Sequence, residues 1–296
     1  MRAATTSAYA ESMARVRALA ARERDDPRIN GDCASIVLDH GRSVRRSVVC
    51  LHGITSSPVQ FRDLGALFHS RGYNVVIPRM PGHGYTNRLT HVLAKLTRAE
   101  YTSYATEAVE IGRGLGEHLT VMGLSVSGIL AAWCAQTRAD VDLAVPIAPA
   151  FAPRGIPLQS VAALSQVLRL LPSLFVPWDI RNPNSSKIPS CAYPRFSTRA
   201  MAESFRLGLD VLQAGIDRPP AAGSILVITT AGDMAVNNAA TRSIVRQWRK
   251  QAPAKVHEHV FGPELGARHD IIGPSQPDAR VEYVYPILLD LVDSLA

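Results

Sequence analysis

The chain has 296 residues, of which 47% are hydrophobic and 19% are charged, and it suits one large globular domain or a domain carrying an insertion. Its net charge of +7 comes from arginines that are scattered and not clustered with aromatic residues, so we expect a solvated basic surface and no nucleic-acid partner. The most apolar stretch, 158–180, is interrupted by Arg169, Pro172 and Pro177, and no run approaches the roughly 18 uncharged residues of a membrane-spanning helix. The composition therefore excludes an integral membrane segment, and it carries no prediction of oligomeric state.

The first thirty residues are polar and contain a predicted helix at about 8–24, with apolar positions at helical spacing interrupted by charges. They lack the apolar core of a signal peptide, so we expect a cytoplasmic location. The cysteines are widely spaced without a C-x-x-C pair, and in this setting we expect reduced thiols and no metal site. There are four of them: Cys33, Cys50, Cys134 and Cys191.

Short apolar runs alternate with helical patterns along most of the chain. This alternation predicts an α/β fold, with a mostly parallel central sheet and helices on both of its faces. The predicted strands are 34–40, 47–53, 74–78, 119–123, 143–149, 224–230 and 255–261. The predicted helices between them are 58–71, 98–117, 127–138, 234–251 and 278–295.

The alternation is interrupted between residues 150 and 220. This interval is rich in proline, has no strand-like run, and contains an apolar helical stretch near 160–175 and a second helix near 198–214. We interpret 150–220 as a helical lid over the carboxyl edge of the sheet, inserted into a core formed by 1–149 and 221–296. The alternative is a pair of ordinary crossover helices joined by a long loop.

The stretch VMGLSVSGIL, residues 121–130, joins a predicted strand to a predicted helix through a very short turn. Small residues, Gly123 and Ser127, flank Ser125 on either side, as in the sharp turn that presents a nucleophilic serine at the end of a strand. The alternative is that Ser125 is only the N-cap of the helix. Because a serine hydroxyl is a weak nucleophile, the catalytic interpretation requires a histidine base and a carboxylate that orients it.

Two loops later in the chain offer these partners. Asp233 follows the strand 224–230, and His269 lies in the loop after the strand 255–261. The other histidines lie within strand patterns, beside helices or in polar surroundings, so His269 is the predicted base. For Asp233, a turn or helix N-cap remains the alternative.

A tetrahedral oxyanion also needs two preorganised N–H donors. The residue after the predicted nucleophile, Val126, supplies one of them. The strand 47–53 ends in His52-Gly53, where the backbone can turn so that the N–H of Ile54 supplies the second. We interpret His52 as a structural histidine of this loop.

Four segments together resemble the α/β-hydrolase superfamily and, within it, the monoacylglycerol lipase and carboxylesterase branch. They are LHGITSSPVQFRDLGALFHSRGYNVVIPRMPGHG (51–84), GLSVSG, AGDMAV and RHDII. The resemblance covers most of 45–150 and 222–295 and is weakest in the predicted lid. The chain order serine, aspartate, histidine is also the order of that superfamily.

The resemblance implies a hydrolase that needs no cofactor and no metal. Its implied site consists of Ser125 as nucleophile, His269 as base and acid, Asp233 as orienting carboxylate, and Ile54 with Val126 as oxyanion donors. The sharp turn at Ser125 departs from the common pattern because Ser127 stands where the second glycine is usual. The side chain of Ser127 could tighten the turn or add a hydrogen bond. In this family the P-G-H-G segment shapes a loop near the site, so His83 is read as structural, with lining of an acyl pocket as the alternative. The candidate binding positions are His52, Gly53, His83 and Ser127.

We therefore expect hydrolysis of carboxylic esters with short to medium acyl chains, with monoacylglycerols as a plausible class and with the apolar lid roofing the pocket for the acyl group. Two alternatives remain open. The same triad could cleave an amide, a thioester or a carbon–carbon bond, or the fold could serve a non-catalytic binding protein.

Overall fold

The computed structural model describes residues 2–178, 189–266 and 268–296. Its strands are Ile36–Leu38 (β1), Val44–Leu51 (β2), Tyr73–Ile77 (β3), Gly116–Leu124 (β4), Leu143–Ile147 (β5), Phe175–Pro177 (β6), Arg195–Ser197 (β7), Ser224–Thr230 (β8) and Val256–Phe261 (β9). Its α-helices are Arg2–Arg24 (α1), Arg62–Ser70 (α2), Arg98–Leu115 (α3), Val126–Thr137 (α4), Val161–Leu170 (α5), Thr198–Asp217 (α6), Asn238–Gln251 (α7) and Val281–Asp293 (α8).

Seven of the strands form one sheet in the order β1-β3-β2-β4-β5-β8-β9. Only the edge strand β1 is antiparallel to its neighbour, and every other pair is parallel. The central strands β3 and β5 are buried along their whole length, which explains their nearly continuous apolar sequences. The predicted fold class is confirmed, and these seven strands correspond to the seven predicted from the sequence.

Helices cover both faces of the sheet and divide the apolar core into two layers. On one face, α3, α4 and α7 pack against the sheet, α6 packs against α4 and α7, and α1 adds partly buried side chains against α3. On the other face, α2 and α8 form the second layer. Because β2, β4, β8 and β9 run parallel, their carboxyl ends lie at one edge of the sheet, and the loops that follow them carry the candidate site residues.

The segment between β5 and β8 contains α5, β6, β7 and α6. The expectation that 150–220 holds no strand was wrong, since β6 and β7 pair as a small antiparallel sheet. Each of these strands has only three residues, too few to produce a recognisable alternation of apolar and polar positions. Residues 179–188 of the predicted lid lie outside the described part of the chain.

Cys33 and Cys191 form a disulfide, with their Cα atoms 5.5 Å apart, so the prediction of reduced thiols was wrong for this pair. The two residues are 158 positions apart, and no local spacing pattern indicates such a pairing. Cys50 and Cys134 are free and buried. Burial raises the pKa of the Cys134 thiol to about 12. Since disulfides persist chiefly in oxidising compartments, the cysteines give no support to the predicted cytoplasmic location.

Within the described ranges, none of the helices combines the length and the apolarity that crossing a bilayer would require.

Candidate active site

Ser125 occupies a strained turn between β4 and α4. Its backbone has φ 62° and ψ −117°, a conformation that L-residues rarely adopt. The turn is held by hydrogen bonds from the Ser125 N–H to the carbonyl oxygen of Ile147 (2.9 Å) and from the Ala150 N–H to the carbonyl oxygen of Ser125 (3.0 Å). A side chain at Gly123 would place its Cβ 2.1 Å from the carbonyl oxygen of Ser127, so this crossing requires glycine. The geometry is that of a nucleophile elbow.

The three predicted triad side chains form one hydrogen-bonded chain. His269 Nε2 lies 2.9 Å from Ser125 Oγ, and His269 Nδ1 lies 2.8 Å from Asp233 Oδ2. The Asp233 side chain is fully buried, whereas that of His269 is 21% exposed. With Nδ1–H donating to the carboxylate, Nε2 is free to accept the serine proton, which is the arrangement that a serine nucleophile needs.

Neither Ser125 nor Asp233 caps a helix, whereas the turn expected as an alternative at Asp233 is present. Ser125 stands at the N-terminus of α4, but its side chain makes no capping hydrogen bond there. Asp233 does not cap α7, because that helix begins at Asn238 and is capped by the side chain of Asn237. Instead, the second oxygen of Asp233, Oδ1, accepts the N–H groups of residues 235 and 236 at 2.8 and 2.9 Å, which fixes the carboxylate facing His269.

Residues 52–55, which follow β2, place one unpaired N–H beside the elbow. The Gly53 N–H donates to Gln60 Oε1 at 2.8 Å, and the Thr55 N–H donates to His83 Nε2 at 3.1 Å. Within the described chain, the N–H of Ile54 between them has no acceptor, and neither does the N–H of Val126 at the start of α4. Both predicted oxyanion donors therefore have a backbone N–H available for a ligand.

The two buried histidines support this loop. His52 Nδ1 and His83 Nδ1 donate to the carbonyl oxygens of Gly53 and Pro81, each at 3.0 Å, and the two Nε2 atoms accept N–H groups from Met80 and residue 55. Burial lowers the pKa of His83 to about 4 and also lowers that of His52. Both rings are fully buried and have no free nitrogen. Loop support, and not contact with a substrate, is what their positions provide.

Ser127 adds a hydrogen bond to the elbow, one of the two possibilities that its sequence left open. Its hydroxyl donates to the carbonyl oxygen of His52 at 2.5 Å, and the residue is fully buried. The second close approach that requires glycine occurs at Gly128, where a Cβ would lie 2.8 Å from the carbonyl oxygen of Ile147. The departure from the common pattern therefore leaves the turn intact.

Contacts that the sequence did not predict join the inserted segment to the loop after β2. Trp178 Nε1 donates to Thr55 Oγ1 at 2.8 Å, and the N–H of Tyr193 donates to the carbonyl oxygen of Thr55 at 2.7 Å. The hydroxyl of Tyr193 donates to the carbonyl oxygen of Gly82 at 2.9 Å. Thr55 has φ 67°, an unusual conformation for a β-branched residue, and it is held by contacts on its backbone and side chain together.

A cavity of about 590 Å³ opens elsewhere and contains none of the triad residues; it is lined by Arg28, Tyr85, Thr86, Asn87, Thr90, His91, Val92 and Lys95. In the described ranges, no group of three or more histidine, cysteine, aspartate or glutamate side chains is arranged to hold a metal ion.

Comparison with known proteins assigns the chain to a family. The model of the alpha/beta hydrolase family matches residues 48–282. A thermostable monoacylglycerol lipase from Bacillus sp. (strain H-257) is 27% identical over 181 residues, which cover 58% of this chain and 64% of that lipase. The match thus spans less than two thirds of the length of this curated relative.

Solved structures show the same fold. One, from a study of the metagenome-derived lipolytic enzymes LipS and LipT, superposes with a TM-score of 0.67 at 20% identity, covering 90% of this chain and 99% of the other. The monoacylglycerol lipase of Paleococcus ferrophilus superposes with a TM-score of 0.66 at 19% identity, covering 88% and 98%.

Proposed function

The chain belongs to the alpha/beta hydrolase family, and we propose that it is a serine hydrolase that cleaves carboxylic esters through an acyl-enzyme on Ser125. The observation that carries the proposal is the continuous hydrogen-bonded chain from Ser125 Oγ through His269 to Asp233. The strained backbone of Ser125 and the unpaired N–H groups of Ile54 and Val126 supply the other parts that acyl transfer needs.

The reaction follows from this arrangement. Ser125 Oγ attacks the ester carbonyl carbon while His269 Nε2 takes the hydroxyl proton, and the resulting oxyanion accepts hydrogen bonds from Ile54 and Val126. The intermediate then collapses, and His269 gives its proton to the leaving alcohol. Water attacks the acyl-enzyme with His269 again as base, which releases the acid and restores the serine. Asp233 keeps Nδ1 protonated and stabilises the positive charge that His269 carries in each step.

The proposed substrates are esters with an apolar acyl group of short to medium length, monoacylglycerols among them. Support comes from the relatives, which are named as monoacylglycerol lipases and lipolytic enzymes. The segment 150–220, proposed to act as a lid, also presents large apolar side chains to solvent, as expected of a surface that receives an acyl chain. Among the described residues of the segment, these are Val167, Leu170, Leu171, Leu174, Trp178 and Ile216.

The test is a series of p-nitrophenyl esters from acetate to laurate, assayed with the wild type and with Ser125→Ala, alongside amide and thioester analogues. The proposal expects ester hydrolysis that depends on acyl chain length and is lost in Ser125→Ala. Turnover of only the amide or thioester analogues would identify the alternative bond. Folded protein that hydrolyses none of them would contradict the proposal.

A further inference from the structure

We propose that Gln60 is a positioning residue that aims the N–H of Ile54 at the oxyanion and connects this donor to the loop carrying His269. The proposal deepens the function proposed above and rests on it. Gln60 lies just after the predicted oxyanion loop, and it touches neither Ser125 nor His269 through a hydrogen bond.

The first observation concerns the backbone N–H groups of three consecutive residues, 53–55, and the acceptors they find. The N–H groups of Gly53 and Thr55 are each taken by a side-chain acceptor, Gln60 Oε1 at 2.8 Å and His83 Nε2 at 3.1 Å. Only the middle N–H, that of Ile54, lacks an acceptor among the described residues. These two bonds fix the peptide planes on either side of the Gly53–Ile54 peptide, which carries the N–H of Ile54. That N–H is therefore held in one direction without being consumed.

The second observation is the strain that this arrangement must hold. Thr55 has φ 67°, a region that costs a β-branched residue free energy unless the surroundings maintain it. Gly53 lies close to the elbow, since a Cβ on it would stand 3.6 Å from the carbonyl oxygen of Leu124. A small rotation of this turn would therefore change where the N–H of Ile54 points relative to Ser125.

The third observation is that the orientation of the Gln60 amide is determined. Its Nε2 donates to Asp270 Oδ2 at 2.7 Å, so its Oε1 must face Gly53. Asp270 Oδ2 also accepts from Gln276 Nε2 at 3.0 Å, and Asp270 Oδ1 accepts the N–H groups of residues 272 and 273 at 3.1 and 2.8 Å. Asp270 follows His269 directly in the chain. Gln60 thus joins the oxyanion loop to the loop of the base.

The experiment exchanges donor and acceptor between these two side chains. In Gln60→Glu, the carboxylate can still accept from Gly53, but its other oxygen faces Asp270 Oδ2 and is repelled. In Asp270→Asn, Oδ1 still accepts from residues 272 and 273, so the new Nδ2 faces Gln60 Nε2. Because two N–H donors then meet, the Gln60 amide flips, and its Oε1 no longer faces the N–H of Gly53. In the double variant, the amide introduced at position 270 donates to the carboxylate introduced at position 60. The bond between positions 60 and 270 and the bond to the Gly53 N–H are then both restored. Gln276, whose Nε2 loses its acceptor, can turn its amide so that its oxygen accepts instead.

We expect kcat for a p-nitrophenyl ester to fall about 10-fold in each single variant with little change in KM, since a misdirected oxyanion donor acts in the transition state. In the double variant we expect kcat within about 3-fold of the wild type, because coupled residues are not additive. Additive losses in the double variant would overturn the proposal, and so would unchanged kcat in both single variants. A merely structural role would lower stability without this recovery of kcat.

Gln60→Met provides a second variant, because it removes both hydrogen bonds without placing two carboxylates together. It should lower kcat about 10-fold and leave KM nearly unchanged, since the misdirected N–H of Ile54 then stabilises the oxyanion less, an interaction made only in the transition state. A fully active Gln60→Met that remains folded would overturn the proposal.

A matched control pair lies on α6, where Gln213 Nε2 donates to Asp217 Oδ1 at 2.9 Å in an exposed setting. The same exchange there, Gln213→Glu with Asp217→Asn, should leave kcat unchanged in the single and double variants. Fluorophosphonate labelling of the wild type separates the two hypotheses. A wild type without label and without ester turnover contradicts the proposed function, whereas an active, labelled wild type with additive variants contradicts only the role of Gln60.

Discussion

The hydroxyl of Ser127 donates a hydrogen bond of 2.5 Å to the backbone carbonyl oxygen of His52. This contact connects the first turn of α4, directly after Ser125, to the loop that carries the N–H of Ile54. The elements that would supply the nucleophile and the oxyanion donor are therefore tied together by a buried side chain.

Removing this bond should affect stability more than chemistry. Ser127→Ala should lower the free energy of unfolding by about 1 kcal/mol, the usual net value of a buried hydrogen bond. Urea unfolding of the variant beside the wild type measures the loss. Because the Ser127 hydroxyl bonds to the carbonyl oxygen of His52, and His269 bonds to Ser125 and Asp233, Ser125 should still react with a fluorophosphonate. A Ser127→Ala protein that is folded but no longer labelled at Ser125 would contradict this assignment.

Asp233 should matter for kcat far more than for folding. In Asp233→Asn, the amide can keep its acceptor toward residues 235 and 236, but its NH₂ group faces His269 Nδ1 and favours the wrong tautomer. We expect kcat to fall by about 10⁴-fold with KM nearly unchanged. Steady-state kinetics on a p-nitrophenyl ester, with thermal unfolding as the folding control, check this. A loss below about 10-fold would mean that another group orients His269.

The buried His83 should make stability depend on pH. Burial, aided by the nearby Arg79, lowers its pKa from 6.5 to about 4, so between these values the unfolded chain binds a proton that the folded chain does not. The free energy of unfolding should therefore fall as the pH drops from 6.5 toward 4, with a contribution from His83 of at most about 1.4 kcal/mol per pH unit. Above pH 6.5 this contribution is constant.

His83→Gln isolates this contribution. Glutamine can accept from the Thr55 N–H but does not titrate, so urea unfolding across this pH range should show a shallower dependence than in the wild type. The neighbouring His52 remains in both proteins, and burial is the main cause of its lowered pKa. His83 lowers the pKa of His52 further, so His83→Gln relaxes that lowering and changes the dependence in the same, shallower direction. Equal slopes in the two proteins would show that His83 is not held neutral.

The disulfide should be detectable by counting thiols. Denatured without reduction, the protein should take up two alkyl groups, on Cys50 and Cys134, and after reduction four. Because the bond joins residues 158 positions apart, Cys33→Ser with Cys191→Ser should lower the free energy of unfolding by about 2–4 kcal/mol. Alkylation of all four thiols without reduction would contradict the bond. Reductant should have no further effect on the double variant.

The sequence was sufficient wherever one local pattern determines a structure. Buried parallel strands have continuous apolar sequences, so their positions could be predicted. Because the carboxyl ends of parallel strands lie at one edge of the sheet, the loops after β4, β8 and β9 could then be predicted to place Ser125, Asp233 and His269 together. The small residues around Ser125 indicated the sharp turn, because a side chain at Gly123 cannot fit the crossing.

The sequence was insufficient where the determining contact joins distant residues. Cys33 and Cys191 carry no spacing signal, and the three-residue strands β6 and β7 are too short for an alternation pattern. Gln60 meets Asp270 across 210 positions, and only the arrangement of two loops in space shows that its amide links them. A glutamine near a predicted helix start has many possible roles, and no local rule selects this one.

The central claim is that His269 activates Ser125, and covalent labelling tests it most directly. The wild type, Ser125→Ala and His269→Ala would be incubated with a fluorophosphonate, measured by intact mass and mapped by peptide sequencing. We predict a single adduct on Ser125 in the wild type, none in Ser125→Ala, and labelling slowed by at least about 10³-fold in His269→Ala. Folded wild-type protein that acquires no adduct, or an adduct on Ser127 instead, would contradict the account.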